Sequence, residues 1–330
     1  MPMLSICLKE EGIIDKEEGE EMTYIFVNLK RFDVPKNLGG ICPVDDPQQW
    51  IESVIDESVQ FGLGQLDGTM VTYLLPEALL ISAMNRLKNH AAEATQTIEI
   101  GSQGVFREDI VKGGNFGAFT TNLPAAAVKN LGCTWAIIGH SEERKDKFGL
   151  FERFEPSVSS DTTLMKKAND TLNTIIHEEV MWAFKADLNV LLCVGETAEE
   201  RGEGTFEEQR PRIEAVLNSQ LETGLKGIRN YSHKRQLVIG YEPRWAIGPG
   251  KTPPGAEYIG FMSSHIKSAC VKLFGIEPPV VYGGGLKEEN AAMIAGIETI
   301  DGGLVALTRF TAEIGFEPEG LRKIIERYLG

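Results

Sequence analysis

The sequence predicts an α/β fold, a closed (β/α)8 barrel, on three observations. Short apolar or β-branched runs recur eight times along the 330 residues. Longer stretches with apolar residues at helical spacing separate them. The runs are apolar almost throughout instead of alternating, as parallel strands covered on both faces require. Periodicity alone does not prove closure, and an open doubly wound sheet is the competing arrangement.

Taken in order, the expected strands cover residues 24–28, 69–74, 97–101, 134–139, 189–194, 236–241, 279–282 and 303–307. Each combines Val, Ile, Tyr, Thr or Leu and stops at a polar residue or a glycine. Residues 48–60, 76–90, 163–186, 206–221 and 256–274 read as the helices between them. Two segments stand outside this rhythm. Residues 1–22 are acidic and are expected to form a poorly ordered or surface extension. Residues 145–161 (KDKFGLFERFEPSVSSD) are expected to be a surface insertion, a lid or contact element or a tolerated loop. Residues 23–330 are thus one barrel domain with decorations.

Composition narrows the function. Against 33 Lys and Arg stand 48 Asp and Glu, a net charge of −15, which disfavours a nucleic-acid or anionic-membrane surface. A small anionic substrate is still admissible, because it needs only a few local cations. The first residues carry acids where a signal peptide needs an apolar stretch, and no window approaches about 20 apolar residues. The five cysteines include no C-x-x-C pair. A reducing, cytoplasmic setting is expected, with neither a disulfide framework nor a zinc site.

In a barrel, chemistry gathers at the carboxyl ends of the strands. The first run is followed there by Asn28 and Lys30, the fourth by His140, Ser141 and Glu142, and the fifth by Glu196. The sixth runs into Glu242 and the seventh into Gly283, Gly284 and Gly285. Each signal alone has a bland reading, a structural histidine or a turn glutamate. Together they supply a base, an electrophile and an anion cradle. A carboxylate can take a proton from carbon next to a carbonyl if a partner stabilises the developing oxyanion. The set therefore describes proton abstraction on a small phosphorylated carbonyl compound. Gly248-Pro-Gly-Lys-Thr252 is not a nucleotide phosphate loop, because Trp245 occupies the position of its first glycine. Its prolines and glycines read instead as a mobile lid.

Two long motifs resemble a known family. Trp135-Ala-Ile-Ile-Gly-His140-Ser-Glu-Glu-Arg144 is similar to the catalytic-histidine segment of triosephosphate isomerases. Gly240-Tyr-Glu242-Pro-Arg-Trp-Ala-Ile-Gly-Pro-Gly-Lys251-Thr252 is similar to their catalytic glutamate and lid. Shorter matches, among them Phe26-Val-Asn28-Leu-Lys30, Cys193-Val-Gly-Glu196 and Tyr282-Gly-Gly284, follow in family order.

The resemblance implies a TIM barrel that interconverts glyceraldehyde 3-phosphate and dihydroxyacetone phosphate. The family is itself a standard case of acid and base groups tuned by environment. It implies Glu242 as base and His140 as a neutral imidazole polarising the carbonyl, with Lys30 and Asn28 beside the developing charge. Glu142 and Ser141 support them, and backbone N–H groups at Gly248 and Gly285 hold phosphate. It also implies no cofactor, and a homodimer through the loop from Gly113 to Thr121. The chain departs from the family where Ala306-Leu307 replaces a phosphate-gripping Gly-Gly and where Arg244 replaces a small apolar residue. Arg244 and Arg309 are the cations that could compensate. A longer ketose phosphate, such as a tetrulose phosphate, is therefore the alternative substrate, and a non-catalytic ligand-binding barrel the alternative class.

Overall fold

The computed structural model describes residues 22–231, 234–248, 250–311 and 313–330. The extension expected over residues 1–22 lies outside them except for Met22. The elements follow in the order β1 (Thr23–Asn28), α1 (Pro47–Gln60), β2 (Thr69–Leu75), α2 (Glu77–Lys88), β3 (Ile98–Ser102) and α3 (Ala125–Asn130). Next come β4 (Trp135–Ile138), α4 (Ser141–Phe154), α5 (Thr162–Lys185), β5 (Asn189–Val194), α6 (Ala198–Arg201) and α7 (Phe206–Gly224). The chain ends with β6 (Leu237–Tyr241), α8 (Ala256–Phe274), β7 (Val280–Tyr282), α9 (Glu288–Ala295), β8 (Gly302–Val305) and α10 (Pro318–Leu329).

All eight strands are parallel, each pairs with the next, and β8 pairs back onto β1. The sheet is a closed barrel, and the doubly wound alternative falls. Period-2 geometry sends alternate side chains to opposite faces of each strand. Tyr24, Phe26, Leu74, Trp135, Ile137, Leu191, Val238, Val281 and Leu304 consequently fill the interior. Their neighbours Ile25, Val27, Val71, Tyr73, Val190 and Ile239 meet the helices outside. Two apolar layers explain why the strand runs lack polar alternation.

Residues 145–161 form no separate loop. Those up to Phe154 complete α4, and a 3-10 turn at Pro156–Ser159 leads into α5. The start of α4 is dictated locally. His140 accepts from the Glu142 N–H at the N-terminus, and Glu142 and Glu143 sit in the first turn, where negative charge suits the helix dipole. Among the described residues, no helix is long and apolar enough to cross a membrane.

Candidate active site

β1 delivers Asn28 to the carboxyl end of the barrel, where it is 5% exposed. Leu29 anchors the next position with no exposed surface, and Lys30 then turns left-handed at φ 45°. That conformation is costly for a residue with a Cβ, so its surroundings must impose it. Asn28 Oδ1 accepts from the Lys30 N–H at 3.0 Å and from Gln103 Nε2 at 3.2 Å. Gln103 Nε2 also donates to the Lys30 carbonyl at 2.9 Å. The turn aims the Lys30 ammonium at Glu142, with Nζ 2.6 Å from Oε1.

His140 and Glu242 come from β4 and β6. Nδ1 of His140 accepts from the Glu142 N–H at 3.3 Å, which leaves Nε2 to carry the proton of a neutral ring. Nε2 lies 3.3 Å from Oε1 of Glu242. The Glu242 carboxylate is 2% exposed and is held by Ser141 through its backbone N–H and its hydroxyl. Glycine is required around it. A Cβ on Gly195 would stand 1.7 Å from the Glu242 carbonyl oxygen, and one on Gly283 would stand 2.6 Å from its Cγ.

Behind these groups sit two buried polar centres. Glu196 is fully buried and accepts from Trp245 Nε1 at 2.7 Å, Tyr258 OH at 2.8 Å and Tyr241 OH at 3.2 Å. Burial pushes its carboxyl above the ordinary range even though these donors pull it down. Lys147 bridges Glu143 and Glu179 in the second centre. Glu143 Oε2 in turn accepts from the Gly139 N–H at 2.6 Å, directly before His140. Burial, and then the neighbouring Glu143 charge, push Glu179 up to about 9. Lys147 and the Gly139 N–H outweigh the burial of Glu143 and hold it below the ordinary range.

A cavity of about 550 Å³ gathers Asn28, Lys30, His140, Ser141, Glu142, Glu242, Gly248, Gly285 and Ala306 on its wall. Leu307 is a correction, because it does not line this cavity. β8 ends at Val305 and the chain bends at Ala306, which lines the wall while Leu307 does not. Arg309 is likewise absent from the wall, being tied to Glu313 and Glu317. Arg244, Lys145 and Lys251 do line it. Beyond β8, Arg309 and Gly315 bond to each other's backbone and close an antiparallel hairpin. Many barrels instead bind phosphate there with a short extra helix. Gln103 and Arg144, which the sequence reading did not single out, brace the site from behind. Arg144 is buried and bonds to the carbonyls of Gly139 and Cys193 at 2.8 and 3.1 Å.

Comparison with known proteins agrees with this geometry. A triosephosphate isomerase from Finegoldia magna is 32% identical over 242 residues, covering 72% of this chain and 82% of its own length. One from Chloroherpeton thalassium is 32% identical over 219 residues, covering 66% of this chain and 73% of its own length. The crystal structure of triosephosphate isomerase from Bartonella henselae superposes with a TM-score of 0.63. It covers 93% of this chain and 99% of its own at 21% identity, a likeness of fold. The family model for triosephosphate isomerase matches residues 65–325, most of the barrel, and the chain belongs to the triosephosphate isomerase family of isomerases.

Proposed function

We propose that this isomerase interconverts glyceraldehyde 3-phosphate and dihydroxyacetone phosphate through an enediolate. The observation that carries the reading is the pairing of Glu242 with the Nε2 edge of His140, 3.3 Å apart on one cavity wall. In the forward direction Glu242 takes a proton from the carbon beside the carbonyl. The electron pair moves onto the carbonyl oxygen, where the His140 Nε2–H and the Lys30 ammonium receive the charge. Glu242 then returns the proton to the neighbouring carbon. Lys30, Gly248, Gly285 and Ala306 surround the phosphate end. Two chains pair through the loop from Gly113 to Thr121, where Phe116 is 89% exposed and offers an apolar contact.

A second substrate reading, a four-carbon ketose phosphate, is favoured by the remodelled end of β8, with Ala306 on the wall and a hairpin beyond it. The test is kcat/KM for glyceraldehyde 3-phosphate and for a tetrulose phosphate in one coupled assay. Turnover of the triose at least tenfold better in kcat/KM supports the first reading. The reverse order selects the second, and no turnover of either leaves a binding barrel.

A further inference from the structure

Two further cavities, of about 410 and 310 Å³, adjoin the reaction cavity on the side of α4 and α5. Arg244 lines all three, so they form one groove with this side chain at the junction. The Arg244 guanidinium makes no hydrogen bond or ion pair among the described residues. Arg144 lines the same groove, fully buried, and donates to the Gly139 and Cys193 carbonyls and to Asn173 Oδ1. Those acceptors are neutral, and no carboxylate forms an ion pair with it. Burial, and then the positive charge of Arg244, bring Arg144 down to about 10. Two guanidiniums thus share a cavity wall with no ion pair to either among the described residues, an arrangement that disfavours the charged form of the buried Arg144.

Four carboxylates also line the groove, and none is paired with Arg244: Asp170 is held by Lys166, Glu152 accepts from the Ser159 hydroxyl, and Glu199 stands at the mouth. Glu200 is committed to Asn169 through Oε1 and to the Thr197 N–H through Oε2. Lys145, exposed at the mouth and lining both the reaction cavity and the groove, adds a third cation without an ion-pair partner among the described residues. A planar guanidinium fork with free N–H groups matches the oxygens of a phosphate.

We propose that this groove is a second anion-binding site, built around Arg244 and Arg144 for a phosphate group. The group belongs either to a phosphorylated sugar reaching out of the reaction cavity or to free inorganic phosphate. Arg244 opens the 3-10 turn Arg244–Ala246 that carries Trp245, so an anion in the groove would hold the start of the lid segment.

The test is calorimetric titration of the full chain with inorganic phosphate at fixed ionic strength. Wild type is expected to bind one more phosphate per chain than Arg244→Met or Arg244→Gln, with thermal midpoints confirming that each variant folds. Arg244→Lys should retain the site with about tenfold weaker affinity, since it keeps the charge and loses the fork. Equal stoichiometry and affinity in wild type and both neutral variants would overturn the proposal. Phosphate inhibition that is competitive with the triose and vanishes in Arg244→Met identifies the substrate's own phosphate as the occupant. Inhibition that persists at saturating triose and vanishes in the same variant identifies free phosphate. A wild-type chain that binds the extra phosphate without turning over triose or tetrulose phosphate would sink the isomerase reading and leave the groove standing.

Discussion

Ser141 spends both of its donors on one carboxylate: its N–H meets Glu242 Oε2 at 2.8 Å and its hydroxyl meets Oε1 at 3.0 Å. A carboxylate held at both oxygens is positioned before any substrate arrives. Glu242→Gln nearly keeps the shape and can still accept from Ser141, but it cannot take a proton. Steady-state assays should show kcat lowered by about 10²–10⁴-fold with KM changed only a few-fold. A variant that keeps a tenth of the wild-type kcat would remove Glu242 from the role of base.

Lys30→Met tests the charge beside the reacting oxygen. The new side chain faces the same left-handed backbone as lysine, so the change isolates the ammonium. Removing one preorganised donor to a developing oxyanion typically costs about 10²–10³ in kcat. If Lys30 also faces the substrate phosphate, as proposed, KM should rise as well. A wild-type KM with reduced kcat would limit Lys30 to the transition state.

Trp245→Phe removes the 2.7 Å donor to the buried carboxylate Glu196. A charged group left short of one buried hydrogen bond loses about 1–3 kcal/mol, which urea denaturation can measure. Turnover should fall too, since Trp245 ties the lid segment to α8 through the Glu196–Tyr258 contact. An unchanged denaturation midpoint would show that solvent replaces the indole.

The Glu143–Lys147–Glu179 centre makes stability depend on pH in a defined direction. Glu179 titrates at about 9 in the folded chain and in the ordinary carboxylate range when unfolded. Between those values the folded state holds a proton that the unfolded state has lost. Its contribution to stability therefore declines as pH rises from about 5 to 9. Glu179→Gln mimics the protonated carboxyl, so its Tm should fall less than that of wild type over this interval. Parallel Tm profiles would show that the pair titrates elsewhere.

The barrel and most of the candidate residues on the cavity wall were legible in the sequence because both leave local signatures. Strands covered on two faces are apolar runs, and Asn28, His140 and Glu242 stand where those runs stop. α4 was illegible for the opposite reason. Only Arg144 among its residues is buried, so SEERKDKFGLFERF carries no apolar stripe and reads as an insertion. α10 buries Leu321, Ile324, Ile325 and Tyr328 at helical spacing, although residues 318–329 are not among the helices expected from the sequence. Gln103 leaves no signal, since a lone glutamine after a strand looks like any turn residue until its three acceptors are seen. Motif position puts Leu307 at the anion pocket, but the chain bends just after β8 and only Ala306 of the pair lines the cavity.

The seam between β7 and β8 is registered only at Tyr282–Gly303, whereas β1 and β2 pair along their whole length from Thr23–Thr69 to Asn28–Leu74. Strands that share few hydrogen bonds part at lower free energy than the rest of a sheet. The first local opening of this barrel is therefore expected beside Gly285 and Ala306, at the proposed phosphate end, before the seam from β4 through β6 that holds His140 and Glu242. Amide protons of Tyr282 and Leu304 should accordingly exchange with solvent well before those of Leu191 and Ile239. The proposed anion cradle would then be the softer edge of the wall that carries His140 and Glu242, open to reshaping apart from them.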